Sequence, residues 1–162
     1  MTNQTLIAIA VGALVIIVLA ISLKRGRFAT PQRKTKIALQ ELADSEVPKG
    51  AIAKGPANAL GHNGEMSQLR GMGVLWLSDT TLGFVLRRPQ RNFNISLADV
   101  QSVVASTEFS RIGLTQTSEQ VEFLIVSWTD PSGRAVIGFK VADAGRWAEQ
   151  VNDALVQRRR LR

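Results

Sequence analysis

Residues 73–103 read GVLWLSDTTLGFVLRRPQRNFNISLADVQSV, and their alternation decides the fold class. Phe93, Ile95 and Leu97 are apolar while Asn94 and Ser96 between them are polar, the period of two that marks a strand with one wet face. Leu82, Phe84 and Leu86 form a second alternating set. Val74–Leu77 is apolar on both faces for part of its length. Ser78-Asp79-Thr80 and Arg88-Pro89-Gln90 separate these runs with turn-forming residues.

The same pattern extends toward the carboxyl terminus. Ile137, Phe139 and Val141 alternate with Gly138 and Lys140, and Phe123–Trp128 is another run that is partly apolar on both faces. His62-Asn63-Gly64 marks a turn, and Asp130-Pro131-Ser132-Gly133 predicts a hairpin, with Pro at the second and Gly at the fourth turn position. Weaker stretches near Ala51–Lys54 and Ser102–Glu108 bring the expectation to six or seven strands. After them Asp143 can cap a helix whose Trp147, Val151 and Leu155 recur at i, i+4 and i+8. Arg146, Glu149, Asn152 and Asp153 occupy the opposite side. Together these elements predict a mainly-β α+β fold: a bent antiparallel sheet closed by an amphipathic helix, with Trp147 as the structural anchor.

The amino-terminal third reads differently. Leu6–Leu23 is LIAIAVGALVIIVLAISL, uncharged throughout. As a helix it would be roughly 27 Å long, matching the hydrocarbon core of a bilayer. Its basic flank, Lys24, Arg25 and Arg27, follows the apolar run, the reverse of a secretory signal peptide. The expectation is an uncleaved, single-pass anchor in the plasma membrane. Residues 24–36 hold six Lys or Arg and no acid, which predicts the amino terminus outside and the remainder in the cytoplasm. Thr30-Pro31 opens a short helix, expected to run to about Ala43 and to end before Pro48 and Gly50 as a stalk. The organisation is therefore a tip (1–5), a transmembrane helix (6–23), a basic linker (24–49), a folded domain (50–157) and a basic tail (158–162).

Charge follows these divisions. The chain carries +7, yet the juxtamembrane stretch contributes six positive charges and Arg158, Arg159, Arg160 and Arg162 four more. The ten remaining basic residues face all thirteen acids, leaving the body at −3. A nucleic-acid module spreads its charge over a folded face with interleaved aromatics, so nucleic acid is not an expected partner. Lys24, Arg25, Arg27, Arg33, Lys34 and Lys36 are instead the candidates for contact with anionic lipid headgroups.

The 73–103 stretch resembles the bacterial pleckstrin-homology-like domains and the related GRAM modules. Their hairpin pattern is matched by Gly73, Leu75, Leu77, Ser78, Asp79, Leu82 and Phe84. The following pattern is matched by Ile95, Leu97, Asp99, Val100, Ser102 and Val103, and the closing helix with Trp147 fits the family's ending. The likeness covers roughly residues 50–156, and its motifs are structural. It implies a pleckstrin-homology-like (PH-like) sheet and helix on a membrane anchor, as in actinobacterial single-pass proteins, some described as export or transport components.

The chemistry on offer is narrow. With no Cys, no Tyr and one His, thiolate catalysis, Cys-based zinc sites and most acid–base pairs are excluded. His62 lies in a turn with no second His; Asp99, Ser102 and Ser106 have no base beside them in the pattern; Glu119 and Glu122 carry no specific signal. No enzyme, metal or cofactor is expected. Arg87, Arg88 and Arg91 flank the Pro89 turn and are candidates for a lipid-headgroup loop. The expected function is a membrane-anchored interaction domain binding a protein partner or organising a membrane complex; the alternative is a lipid-headgroup module or an accessory subunit of a transport system.

Overall fold

The computed structural model describes residues 31–62, 69–111, 114–117 and 121–160. Their contacts divide the chain into two units, Met1–Ala38 and Leu39–Arg162. Of the first unit only residues 31–38 are described, the opening turns of helix α1 (Pro31–Glu46), with Arg33, Lys34 and Lys36 exposed. The apolar stretch 6–23 and the basic residues Lys24, Arg25 and Arg27 lie outside the described residues. Among those described, no helix is long and apolar enough to cross a membrane.

The second unit is mainly β. After α1 come β1 (Ala53–His62), β2 (Arg70–Leu77), β3 (Thr81–Arg87), β4 (Gln90–Ser96), β5 (Val100–Ser106), β6 (Glu108–Arg111), β7 (Leu114–Thr117), β8 (Phe123–Asp130), β9 (Gly133–Val141) and helix α2 (Ala144–Arg160). Seven strands form one antiparallel sheet in the order β4-β3-β2-β1-β9-β8-β5, and β6 and β7 pair separately. The turn signals do what their chemistry allows. The Ser78 hydroxyl accepts from the Thr81 N–H at 3.1 Å, and the Ser78 N–H donates to the Thr81 carbonyl at 2.9 Å, closing the β2–β3 link. Gly133, at φ 121°, takes the left-handed backbone that lets Asp130 and Gly133 pair across the β8–β9 hairpin.

The sheet is rolled. Phe93 on β4 and Trp128 on β8 stand five strand spacings apart in the sheet order, about 24 Å if it were flat. Their ring centroids are 5.7 Å apart, edge to face. Phe84 on β3 likewise meets Phe139 on β9 at 5.3 Å. The concave face so formed holds the main core: Leu75, Leu77, Leu82, Phe84 and Leu86 from one half, and Leu124, Val126, Ile137 and Phe139 from the other. Helix α2 adds Ala144, Ala148, Val151 and Leu155. Asp143 caps it as the sequence predicts, its Oδ1 accepting from the Arg146 N–H at 2.9 Å.

Val151, wholly buried, is the deepest side chain of α2, while Trp147 is partly buried at the rim of the core beside Gly55. Trp147→Ala is therefore expected to cost about 2 kcal/mol, below the range for a fully enclosed tryptophan. Thermal melts of the full-length protein check this figure.

The runs that are apolar on both faces have covers on the convex side. Leu39, Ala43 and Val47, at i, i+4 and i+8, pack the second half of α1 onto Val74, Trp76 and Val85. The stalk expected to end at Ala43 thus runs to Glu46, and its later half is part of the domain. The reason is burial: Ala43 completes an apolar stripe that its small size hides in the sequence. Lys54 on β1 ties down the same end of α1 through Asp44, at 3.2 Å. A hydrogen bond from Gln40 and the Lys54 ammonium together hold the Asp44 carboxyl below its ordinary value. Farther along, Phe109 of β6 lies over Gly138, where any Cβ would come within 2.8 Å of the ring, and clusters with Leu60 and Phe123.

Candidate functional site

The sheet order leaves β5 as an edge strand, paired only with β8. Its sequence, VQSVVAS, has no charge and no proline, the devices that usually blunt an exposed edge. The Val103 carbonyl accepts from the Asn152 Nδ2 at 3.3 Å, so the backbone groups of Val103 point away from β8. By antiparallel alternation those of Ala105 do the same. Val104, between them, projects from the convex face and is 48% exposed.

Helix α2 forms the other wall. Glu149, Asn152, Val156 and Arg159 recur at helical spacing and are all exposed, so they make one column beside the β5 edge. Asn152 meets Val103, whereas Leu155 and Arg159 share a small pocket with Val100 and Leu97. The helix therefore runs antiparallel to β5, with Glu149 toward the end of the strand and Arg159 toward its start. That pocket, about 90 Å³, is lined by Leu97, Ala98, Val100, Leu155, Arg158 and Arg159. Arg158 forms part of its wall and also donates to the Thr80 carbonyl at 3.3 Å. On the other side of Arg158 a cleft of about 430 Å³ runs between Ile52, the Asp79-Thr80 turn and Asp153.

The arginine candidates gather elsewhere. Arg87 pairs with Gln90 to close the β3–β4 turn, and Arg88 and Arg91 stand exposed beside it. The β2–β3 register, running through Gly73 and Leu86, brings Arg70 to the same end of the sheet, an addition the sequence alone did not give. Asn152, Val156 and Arg159 were also missed as a group. Their helical spacing was legible, but nothing in the sequence says which strand lies beside α2.

The serines considered above have structural partners. Ser102 and Ser127 share a hydroxyl–hydroxyl bond of 2.7 Å, and Ser106 accepts from the Glu108 N–H at 3.1 Å. Asp99 accepts the Thr129 N–H on its carbonyl at 2.9 Å, joining the β4–β5 corner to β8. Among the described residues no group of three His, Cys, Asp or Glu is placed to hold a metal ion. The side chain of His62 and the residues Asn63 and Gly64 lie outside what is described.

No protein-family model and no curated protein matches the chain. Among solved structures, a chain of the 8S snRNP assembly intermediate is similar over 68% of this chain and 82% of its own length, at 8% identity and a TM-score of 0.48. A likeness of that size carries no argument about what this chain does.

Proposed function

We propose that this chain is a membrane-anchored, non-enzymatic PH-like interaction module on the cytoplasmic side of the plasma membrane. Its partner is a protein segment that adds as an extra strand to the edge of β5. The observation that carries the reading is that uncharged edge, flanked by exposed Val104 on one side and by Val156 of α2, 45% exposed, on the other. Main-chain hydrogen bonds to Ala105, and to the Val103 carbonyl once the added strand displaces the Asn152 amide from it, would supply affinity, and the helix column would supply side-chain selectivity. The PH-like assignment is supported by seven antiparallel strands, the first beside the last, with a carboxyl-terminal helix against them.

The arginine turn supports a second reading, an anionic lipid headgroup held by Arg87, Arg88 and Arg91 together with Arg70. The two are separated by photo-crosslinking of the full-length chain in its native membrane, with the reactive residue at position 104 or at position 88. The expected result is a protein adduct from position 104, lost when Ala105→Pro removes an outward backbone donor, and no lipid adduct from position 88. A lipid adduct from position 88, with nothing from position 104, would replace the first reading by the second.

A further inference from the structure

We propose that the β5–α2 groove selects a free chain terminus: a segment lying antiparallel to β5 and ending in an apolar residue whose carboxylate meets Arg158 and Arg159. The inference rests on the strand-addition reading above and names the partner's chemistry. The pocket at the start of β5 is lined by the side chains of Leu97, Val100 and Leu155 together with Ala98 and the two arginines, of which Arg158 also reaches the Thr80 carbonyl. At about 90 Å³ it admits one small aliphatic side chain and no longer stretch of chain. Arg159 makes no hydrogen bond or ion pair among the described residues, so its donors are available to a carboxylate.

Direction follows from placement. Because the pocket sits at the amino end of β5, an antiparallel segment brings its carboxyl end there. A parallel one would bring an ammonium against two arginines. Toward the other end of the column stands its one carboxylate, Glu149, with Arg146 a turn behind it; Glu149 precedes Arg159 by ten helical residues, about 15 Å. An extended chain covers that distance in about four residues. The favoured partner therefore carries Lys or Arg about four positions before its last, apolar residue.

Arginines in a last helical turn also offset the partial negative charge of the helix end, and that role alone would affect folding rather than selectivity. The test uses the full-length chain in neutral-lipid nanodiscs and a library of random octapeptides, synthesised once as free acids and once as carboxamides. Enrichment is expected for free acids ending in an aliphatic residue with a basic residue about four positions upstream. Amidation should weaken the selected peptides at least tenfold. Arg159→Gln should erase the difference between acid and amide while lowering the melting temperature by no more than about 3 °C, the share of the helix end alone. Equal binding of acids and amides, both weakened by Ala105→Pro, would overturn the terminal-carboxylate inference and leave strand addition standing. Enrichment in neither library, or binding indifferent to Ala105→Pro, would overturn strand addition itself.

Discussion

Gly73→Ala is expected to destabilise the protein by about 3 kcal/mol, lowering its melting temperature by about 10 °C. A Cβ at this position would stand 2.0 Å from the Val85 carbonyl oxygen and 2.7 Å from the nearest carbon of the Phe84 ring. The carbonyl belongs to the neighbouring strand, so it cannot swing aside as a side chain would. Relief requires β2 and β3 to separate where Gly73 pairs with Leu86 and Val74 with Val85. Gly50→Ala is the control, since a Cβ there meets nothing within 4 Å. Calorimetry of both variants decides the matter: equal melting temperatures would mean that the close approach at Gly73 is not a feature of the folded protein.

Trp76→Ala is expected to cost about 3–5 kcal/mol, and to do so unevenly. The indole is 7% exposed and packs over Gly83 of β3, where a Cβ would come within 2.1 Å of it. Leu39 and Ala43 of α1 and Val47 just beyond its end belong to the same cluster, along with Val74 and Val85. Removing the ring leaves α1 with two valines on the sheet to pack against. Hydrogen exchange should therefore show the largest loss of protection in the second half of α1, ahead of β8 and β9. A uniform loss across the sheet would instead indicate that α1 and the sheet unfold as one unit.

Gly73 and Trp76 also illustrate what the sequence made legible. Period-two runs such as Phe93-Ile95-Leu97 place strands because alternation is a local property of the backbone. The runs apolar on both faces, Val74–Leu77 and Phe123–Trp128, were legible as strands, and the structure shows why they are apolar twice: each is covered on its convex side as well. Neither cover was readable. Ala43 is too small to register in an apolar stripe, and the β6–β7 hairpin is short and mostly polar, with Phe109 as a hydrophobic anchor. The groove was hidden for a different reason. Strand order is set by contacts between distant residues, so no local pattern names β5 as the edge beside α2.

The adjacency of the first and last strands has a temporal consequence. Ala57 of β1 pairs with Val141 of β9, 84 residues later in the chain. At synthesis rates of about 5–20 residues per second, roughly 4–17 s separate their emergence. The convex cluster under α1 needs nothing beyond Val85 and can assemble early, shielding Val74 and Trp76 during that interval. Leu75, Leu77 and Phe84 on the concave face must wait for β8, β9 and α2. A nascent chain halted before β9 is thus left with one apolar face exposed, the state in which a holdase would be most useful and aggregation fastest.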